Sequence, residues 1–265
     1  MRLDRSGYHL EFLDTFQGDA LDESRWIPAY LPQWSSKERS GARYRQHDGT
    51  LRLLIERDQL PWSPEHNGAL RVSNLQTGVF SGPDGSDIGQ HHFAPGLLVT
   101  EAQDERRLYT PLYGIIEARV AALRDPACMV ALWLVGFEDR RNRSAEICIF
   151  EIFGREITDE GSLVGMGLHP FGDRLIHDDF VKVPVAIDVT EFHTYSVEWL
   201  PGEVRFFIDD EVVSTTDQSP DYPMQLMLNL YEFEATAEAD YPKAFEVDWV
   251  RGYRPGTETS ASAVS

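Results

Sequence analysis

Long apolar runs are missing from this sequence, and cysteine nearly so. No segment approaches the roughly 20 apolar residues of a membrane-spanning helix, and the first ten residues lack the apolar core of a signal peptide. We therefore expect no membrane segment, and a protein that is cytoplasmic as the chain stands or secreted if a leader was removed. Cys128 and Cys148 lie outside any CxxC or zinc-ligand spacing, so neither a disulfide framework nor a zinc site is indicated.

Positive charge is also scarce, because 24 Lys and Arg residues face 44 Asp and Glu residues, which gives a formal net charge of −20. Such a chain repels phosphate backbones and anionic lipids, so nucleic acid and membrane surfaces are excluded as partners. A neutral polysaccharide is not repelled. A Gly-x-Ser-x-Gly elbow is absent, which argues against acyl transfer.

Long helical patterns, repeats and linkers are lacking as well, and short runs of alternating apolar and polar residues fill the chain instead. Residues 195–200 and 204–209 alternate on either side of Pro201-Gly202, which predicts a hairpin. Many such runs favour one all-β domain of two packed antiparallel sheets over residues 1–255. Residues 256–265 have no bulky apolar side chains, and a disordered tail is expected there.

Two long irregular stretches, residues 30–46 and 60–93, interrupt the strand pattern. Long loops on a β-sandwich often carry function. Trp34, Tyr44 and Trp62 lie there, and flat aromatic rings suit the stacking of sugar rings. They are therefore candidate substrate-binding residues, with a role as plugs over the core as the alternative.

The segment Glu146-Ile-Cys-Ile-Phe-Glu151 places two acids in an apolar run typical of a strand. On a regular strand the two glutamates would point to opposite faces, but one β-bulge between them would bring both, with Cys148, to the same side. Leaning side chains could then approach the roughly 5–5.5 Å carboxyl separation of a retaining glycosidase. Two unrelated surface carboxylates are the alternative.

This segment resembles the Glu-x-Asp-x-x-Glu signature of glycoside hydrolase family 16, a group of laminarinases and lichenases on a concanavalin A-like jelly roll. The resemblance extends in order from about residue 10 to residue 254. It includes Gly114-Ile-Ile-Glu-Ala-Arg119, Ala131-Leu-Trp-Leu134, Phe192-His-Thr-Tyr-Ser-Val-Glu-Trp199 and Val247-Asp-Trp-Val-Arg-Gly-Tyr253.

The resemblance implies a glycosidase in which Glu146 is the nucleophile and Glu151 the general acid/base. It also implies that Trp133 lines the floor beneath the scissile sugar and that His169 faces the carboxylates. The family's middle Asp is Cys148 here, a weaker and usually neutral hydrogen-bonding partner. We hypothesise that this substitution tunes the carboxylate pair, with a buried filler role as the alternative.

The resemblance further implies a structural calcium, held by Asp248 with the main-chain carbonyls of Glu11 and Gly49, and no cofactor for catalysis. The expected function is hydrolysis of internal bonds in a β-1,3- or mixed-linkage glucan by a monomer. A catalytically silent glycan-binding module and a transglycosylase remain alternatives.

Overall fold

The computed structural model describes residues 1–235 and 239–256. The tail predicted for residues 256–265 lies outside these ranges except for Gly256. Within these ranges, helix is limited to two four-residue helices, α1 (Lys37–Ser40) and α2 (Pro64–Asn67), and two 3-10 turns, Pro32–Trp34 and Gly154–Glu156. None of the helices in the described part of the chain has the length or hydropathy to cross a membrane.

Sixteen strands supply most of the regular secondary structure of the described residues. They are β1 (Tyr8–Asp14), β2 (Arg43–His47), β3 (Thr50–Ile55), β4 (Arg71–Gln76), β5 (Gly78–Val79), β6 (Arg106–Arg107), β7 (Gly114–Ala121), β8 (Cys128–Gly136), β9 (Glu146–Phe153), β10 (Ser162–His169), β11 (Val181–Val185), β12 (His193–Leu200), β13 (Glu203–Ile208), β14 (Glu211–Thr216), β15 (Met224–Glu232) and β16 (Lys243–Pro255).

The strands form two large antiparallel sheets, which confirms the predicted all-β sandwich. The eight-stranded sheet has the order β14-β13-β12-β7-β16-β3-β2, with β1 also paired to β16, and the six-stranded sheet has the order β11-β10-β9-β8-β15-β4. β12 and β13 form the predicted hairpin, with Leu200 opposite Glu203 across the turn. The short strands β5 and β6 pair separately.

The main core fills the space between the two sheets and draws on nearly every strand. Phe150 of β9, for example, packs against Tyr195 of β12 and Phe245 of β16, with ring centroids 4.8 and 6.4 Å apart. A second apolar cluster lies on the other face of the six-stranded sheet, and we call it the outer cluster. Its buried members come from β4, β8, β9, β15 and the long N-terminal loops: Tyr30, Leu31, Trp34, Trp62, Leu70, Val72, Leu97, Val99, Met129, Ala131, Trp133, Val135, Cys148, Met227 and Tyr231.

Candidate active site

The two glutamates of β9 lie on the outer face of the six-stranded sheet because the strand contains a bulge. In the pairing of β8 with β9, Leu132 lies opposite Phe150 and Trp133 opposite Cys148, so Ile149 is the extra residue. Ile149 and Phe150 both pack into the core between the sheets, whereas Cys148 belongs to the outer cluster. The bulge predicted from the sequence is therefore present.

Glu146, Cys148 and Glu151 form a compact group. One carboxylate oxygen of each glutamate and the thiol sulfur all lie within 4.8 Å of one another. This separation is close to the roughly 5–5.5 Å typical of retaining glycosidases. Among the described residues, this group is also the one with three acid or thiol side chains close enough to share a metal ion.

Burial governs the protonation of the pair. Glu146 is only 3% exposed, and burial together with the nearby Glu151 raises its pKa well above the ordinary value. Burial also raises the pKa of Glu151, while His169, the Trp133 indole N–H and Lys182 act in the opposite direction. Because two like charges at this distance disfavour each other, the two carboxyls titrate as a coupled pair, and ionisation of one raises the pKa of the other.

Trp133 and His169 both lie beside the carboxylates, where the resemblance places them. The Trp133 ring packs against Tyr231 at 5.6 Å. Its buried N–H lies near Glu151 but forms no hydrogen bond with any described acceptor. His169 lies opposite Glu146 in the β9–β10 pairing. Its Nδ1 is 3.0 Å from Asp178 Oδ2.

The aromatic residues predicted to stack on sugars are placed differently. Trp34 and Trp62 are 3% and 1% exposed, and their indole N–H groups donate to the carbonyls of Gln90 and Tyr30. They are plugs in the outer cluster, the alternative raised above, so the stacking prediction is wrong for both. Tyr44 packs against the core between the sheets, on the edge strand β2, and does not reach the carboxylates.

Of the three predicted calcium ligands, Glu11 lies apart from Asp248, and the calcium site stays a prediction. The Asp248 carboxylate pairs with the Arg119 guanidinium, a cation that neutralises it without a metal. In the β1–β16 pairing, Phe12 lies opposite Gly252. Gly252 is four residues from Asp248 along β16, which separates their Cα atoms by roughly 13 Å. Glu11 is one residue farther along, whereas calcium holds its oxygens at about 2.3–2.6 Å. Gly49 precedes Leu51, which lies opposite Val247, so Glu11 is the residue of the set that the strand register places apart from Asp248.

Sequence reasoning missed several residues near the carboxylates. Tyr30 and Tyr231 are buried beside Glu146, with ring centroids 5.5 Å apart. The alternation of β15, in which Met227 and Tyr231 share the outer face, could have identified Tyr231. His91 and Glu138 were also missed, because they come together only through folding of the long loop, where the amide of His91 donates to Glu138 Oε1 at 2.5 Å.

Comparisons with known proteins agree with this geometry. The family model described as glycosyl hydrolases family 16 matches residues 107–251, more than half of the chain. An endo-1,3-1,4-beta-glycanase, ExsH, of Rhizobium meliloti (strain 1021) is 25% identical over 55% of this chain and 29% of its own length. A beta-glucanase of Rhodothermus marinus is 31% identical over 28% of this chain and 32% of its own length. The chain thus spans about a third or less of these curated relatives.

Solved structures extend the comparison over nearly the whole chain. A GlcNAcα1-4Gal-releasing endo-β-galactosidase from Clostridium perfringens has a TM-score of 0.82 at 28% identity, covering 95% of this chain and 63% of that one. A laminarinase from Flavobacterium sp. UMI-01 has a TM-score of 0.64 at 17% identity, covering 93% and 100%. At that identity, the second likeness bears on the fold alone.

Proposed function

The chain belongs to glycosyl hydrolases family 16, and from that premise we propose that it is a retaining endo-β-glycanase, with Glu146 as nucleophile and Glu151 as general acid/base. The observation that carries the proposal is the bulge in β9. It brings the buried carboxylate of Glu146 and the half-buried carboxylate of Glu151 within 4.8 Å of each other on the outer face of the sheet. At this distance there is room for direct attack by one carboxylate but not for a water held between the two.

In the first step, a carboxylate oxygen of Glu146 attacks the anomeric carbon of the substrate. The bond from that carbon to the glycosidic oxygen breaks, and Glu151 gives its proton to the departing oxygen. In the second step, a water attacks the same carbon, Glu151 takes a proton from it, and the ester bond to Glu146 breaks. Glu151 is the more exposed carboxylate of the two, as befits the group that must meet the incoming water.

The coupling between the two carboxyls suits this division of labour. When Glu146 is esterified its negative charge disappears, and the pKa of Glu151 falls at the moment when it must act as a base. The indole N–H of Trp133 adds a donor beside Glu151 that further favours its ionised form.

The substrate that we propose first is a β-1,3- or mixed-linkage glucan, which the names of the two curated relatives support. A β-galactoside backbone is a second candidate. It is favoured by the likeness to the endo-β-galactosidase, which reaches 28% identity over 95% of this chain. Both substrates are neutral, so neither is repelled by an acidic protein.

The test is the release of reducing ends from linear β-1,3-glucan, mixed-linkage β-glucan, β-galactan and xyloglucan. The wild type is compared with Glu146→Gln and Glu151→Gln, and with Glu160→Gln as a matched control in the exposed turn after β9. Loss of either catalytic carboxyl should lower kcat by about 10²–10⁴-fold, whereas the control should retain full activity.

Full activity in either catalytic variant would contradict the proposal. If no glycan in the panel is cleaved but one binds saturably, the chain is instead a glycan-binding module. Products longer than the starting oligosaccharide, lost in the same two variants, would identify a transglycosylase.

A further inference from the structure

A pocket of about 400 Å³ opens beside the start of β9, where Ser144 lines it. Its lining includes Phe80, His92, Glu138, Arg141, Ser144 and Phe171, and we call it the Glu138 pocket. The volume lies at the lower end of the roughly 300–1,000 Å³ range of small-molecule sites. The two-carboxylate chemistry proposed above makes no use of this pocket.

Three residues at or next to the wall of the pocket have a strained backbone conformation. His91, Glu138 and Phe171 have φ values of 52°, 57° and 42°, in the left-handed region that residues with a Cβ seldom adopt. They contact one another, because the His91 amide donates to Glu138 and the His91 ring packs edge-on against Phe171 at 4.7 Å. Residues held in this region by the surrounding structure cluster at ligand sites.

Glu138 is chemically unusual for a residue at a pocket wall. It is 7% exposed and forms no salt bridge with any of the residues that the structure describes. Burial raises its pKa to about 8, although the hydrogen bond from the His91 amide acts in the opposite direction. Near neutral pH, Glu138 is therefore a carboxylic acid, which can donate a hydrogen bond as well as accept one.

The remaining lining complements this neutral donor. The Phe171 ring is 50% exposed and offers an apolar face. His91 does not itself line the pocket but contacts Glu138 and Phe171, which do, and its buried Nδ1 atom has no hydrogen-bond partner among the described residues. The charged groups at the rim neutralise each other, since Arg141 pairs with Asp87 at 2.7 Å. A ring with an apolar face and several hydroxyl groups, such as a hexose, matches these features.

The position of the pocket indicates which part of a glycan would reach it. Ser144, two residues before Glu146, lines the pocket, and the Phe171 ring is 6.1 Å from the ring of His169. The two carboxylates lie on either side of the bond to be cleaved, and both belong to β9. The strand direction of β9 therefore runs across the glycan chain and not along it. A pocket beyond Glu146 on that line therefore lies to one side of the chain.

We propose that the Glu138 pocket binds a neutral hexosyl branch on the glycan chain next to the cleaved bond, with Glu138 as the hydrogen-bonding residue and Phe171 as the stacking surface. This inference rests on the proposed function and narrows its substrate class to branched β-glycans. It gives the strained loop residues a role as specificity determinants.

The experiment measures the ratio of kcat/KM for branched over linear substrate. The matched pairs are β-1,3-glucan oligosaccharides with and without a single β-1,6-glucosyl branch, and β-galactan oligosaccharides with and without a single galactosyl branch. The wild type should prefer the branched member of a pair at least tenfold. Glu138→Ala and Phe171→Ala should each reduce that ratio at least tenfold, and Glu138→Gln should preserve it, because a neutral amide also donates and accepts.

Leu175→Ala is the matched control, since Leu175 is 81% exposed, follows Phe171 closely in the chain and does not line the pocket. The inference is overturned if the wild type prefers neither branched substrate over its linear partner. It is also overturned if the ratio of kcat/KM for branched over linear substrate is the same in both alanine variants as in the wild type. Calorimetric binding of the same oligosaccharides to the wild-type protein separates the two proposals. If no oligosaccharide is cleaved, the proposed function fails. The pocket is still supported if the branched oligosaccharide binds more tightly than the linear one and Glu138→Ala abolishes that difference. Equal binding of the branched and linear oligosaccharides rejects the pocket proposal.

Discussion

At the scale of single residues, Cys148 distinguishes this site from the signature that the segment resembles. Its sulfur lies 3.9 Å from the carbonyl oxygen of Gly165, and burial with the two neighbouring glutamates raises the pKa of the thiol well above its ordinary value. A neutral thiol is a weak donor and does little to stabilise a charge on Glu146. Glu146 must therefore ionise without a strong hydrogen bond from its neighbour.

Cys148→Asp should shift the acid limb of the kcat/KM profile to lower pH. A protonated aspartic acid at this position can donate to the Glu146 carboxylate and favour its ionised form, so the pKa that limits activity on the acid side falls. The measurement is kcat/KM against pH for wild type and variant. Cys128→Ser, at the other buried cysteine, is the control. Identical acid limbs in Cys148→Asp and the wild type would count against tuning by Cys148.

Glu138 provides a second prediction at this scale, which concerns stability. Its pKa is raised to about 8 from an ordinary value of 4.5, so the folded state binds more protons than the unfolded state between those values. The stabilisation is therefore fully present below about pH 4.5 and is lost as pH rises toward 8. The groups around it are His91, whose pKa is lowered to about 4, with His92, Asp87, Arg141 and Tyr222.

Glu138→Gln should remove this contribution. The melting temperature of the variant should therefore fall less between pH 5 and pH 8 than that of the wild type. Thermal unfolding of both proteins across that range gives the comparison. Parallel curves would show that Glu138 already ionises freely in the folded protein.

At the scale of elements, β9 and its neighbour β10 set the geometry of the site. Gly165 lies opposite Glu151 in their pairing, and a Cβ at Gly165 would overlap the Phe180 ring. Phe180 stacks on His169 with ring centroids 4.8 Å apart. The glycine therefore lets the segment before β11 lie directly on β10 and hold His169 near the carboxylates.

Gly165→Ala should lower kcat/KM at least tenfold and destabilise the protein by about 1–3 kcal/mol, because the added methyl displaces Phe180 and with it the support of His169. Gly7→Ala is the matched control, since a Cβ there meets no atom within 4 Å. The checks are steady-state kinetics and denaturant unfolding of both variants. Wild-type kinetics in Gly165→Ala would show that this packing does not position His169.

The same elements show what the sequence could predict. The sequence of β9 allowed a bulge that puts both glutamates and Cys148 on one face, but it left two unrelated surface carboxylates as the alternative until the strand pairing showed the bulge. The burial of Trp62 was not predictable, because it depends on how Tyr30 and Phe93 from distant loop segments cover it. The ion pair of Asp248 with Arg119 was not predictable for a similar reason, since Arg119 comes from β7 and is adjacent only in the folded sheet.

At the scale of the whole molecule, the net charge of −20 bears on which glycans can reach the site. A neutral polysaccharide experiences no net force from this field, whereas a carboxylated or sulfated one is repelled at low salt. The proposed glucan or galactoside substrates both belong to the first class.

We therefore expect kcat/KM on a neutral glycan to change less than about twofold between roughly 10 mM and 1 M salt, over which the Debye length falls from about 30 to 3 Å. Initial rates at several salt concentrations provide the check, with a carboxylated polysaccharide of similar length as the comparison. This account would be contradicted if the protein bound the carboxylated polysaccharide more tightly at low salt than at high salt.

The stereochemistry of the first product tests the central claim most directly. A β-linked oligosaccharide is hydrolysed in an NMR tube, and the anomeric proton of the new reducing end is followed before mutarotation mixes the anomers. Attack by Glu146 followed by attack of water inverts the centre twice, so the β anomer should appear first. Initial appearance of the α anomer would mean a single displacement by water and would contradict the assignment of Glu146 as nucleophile.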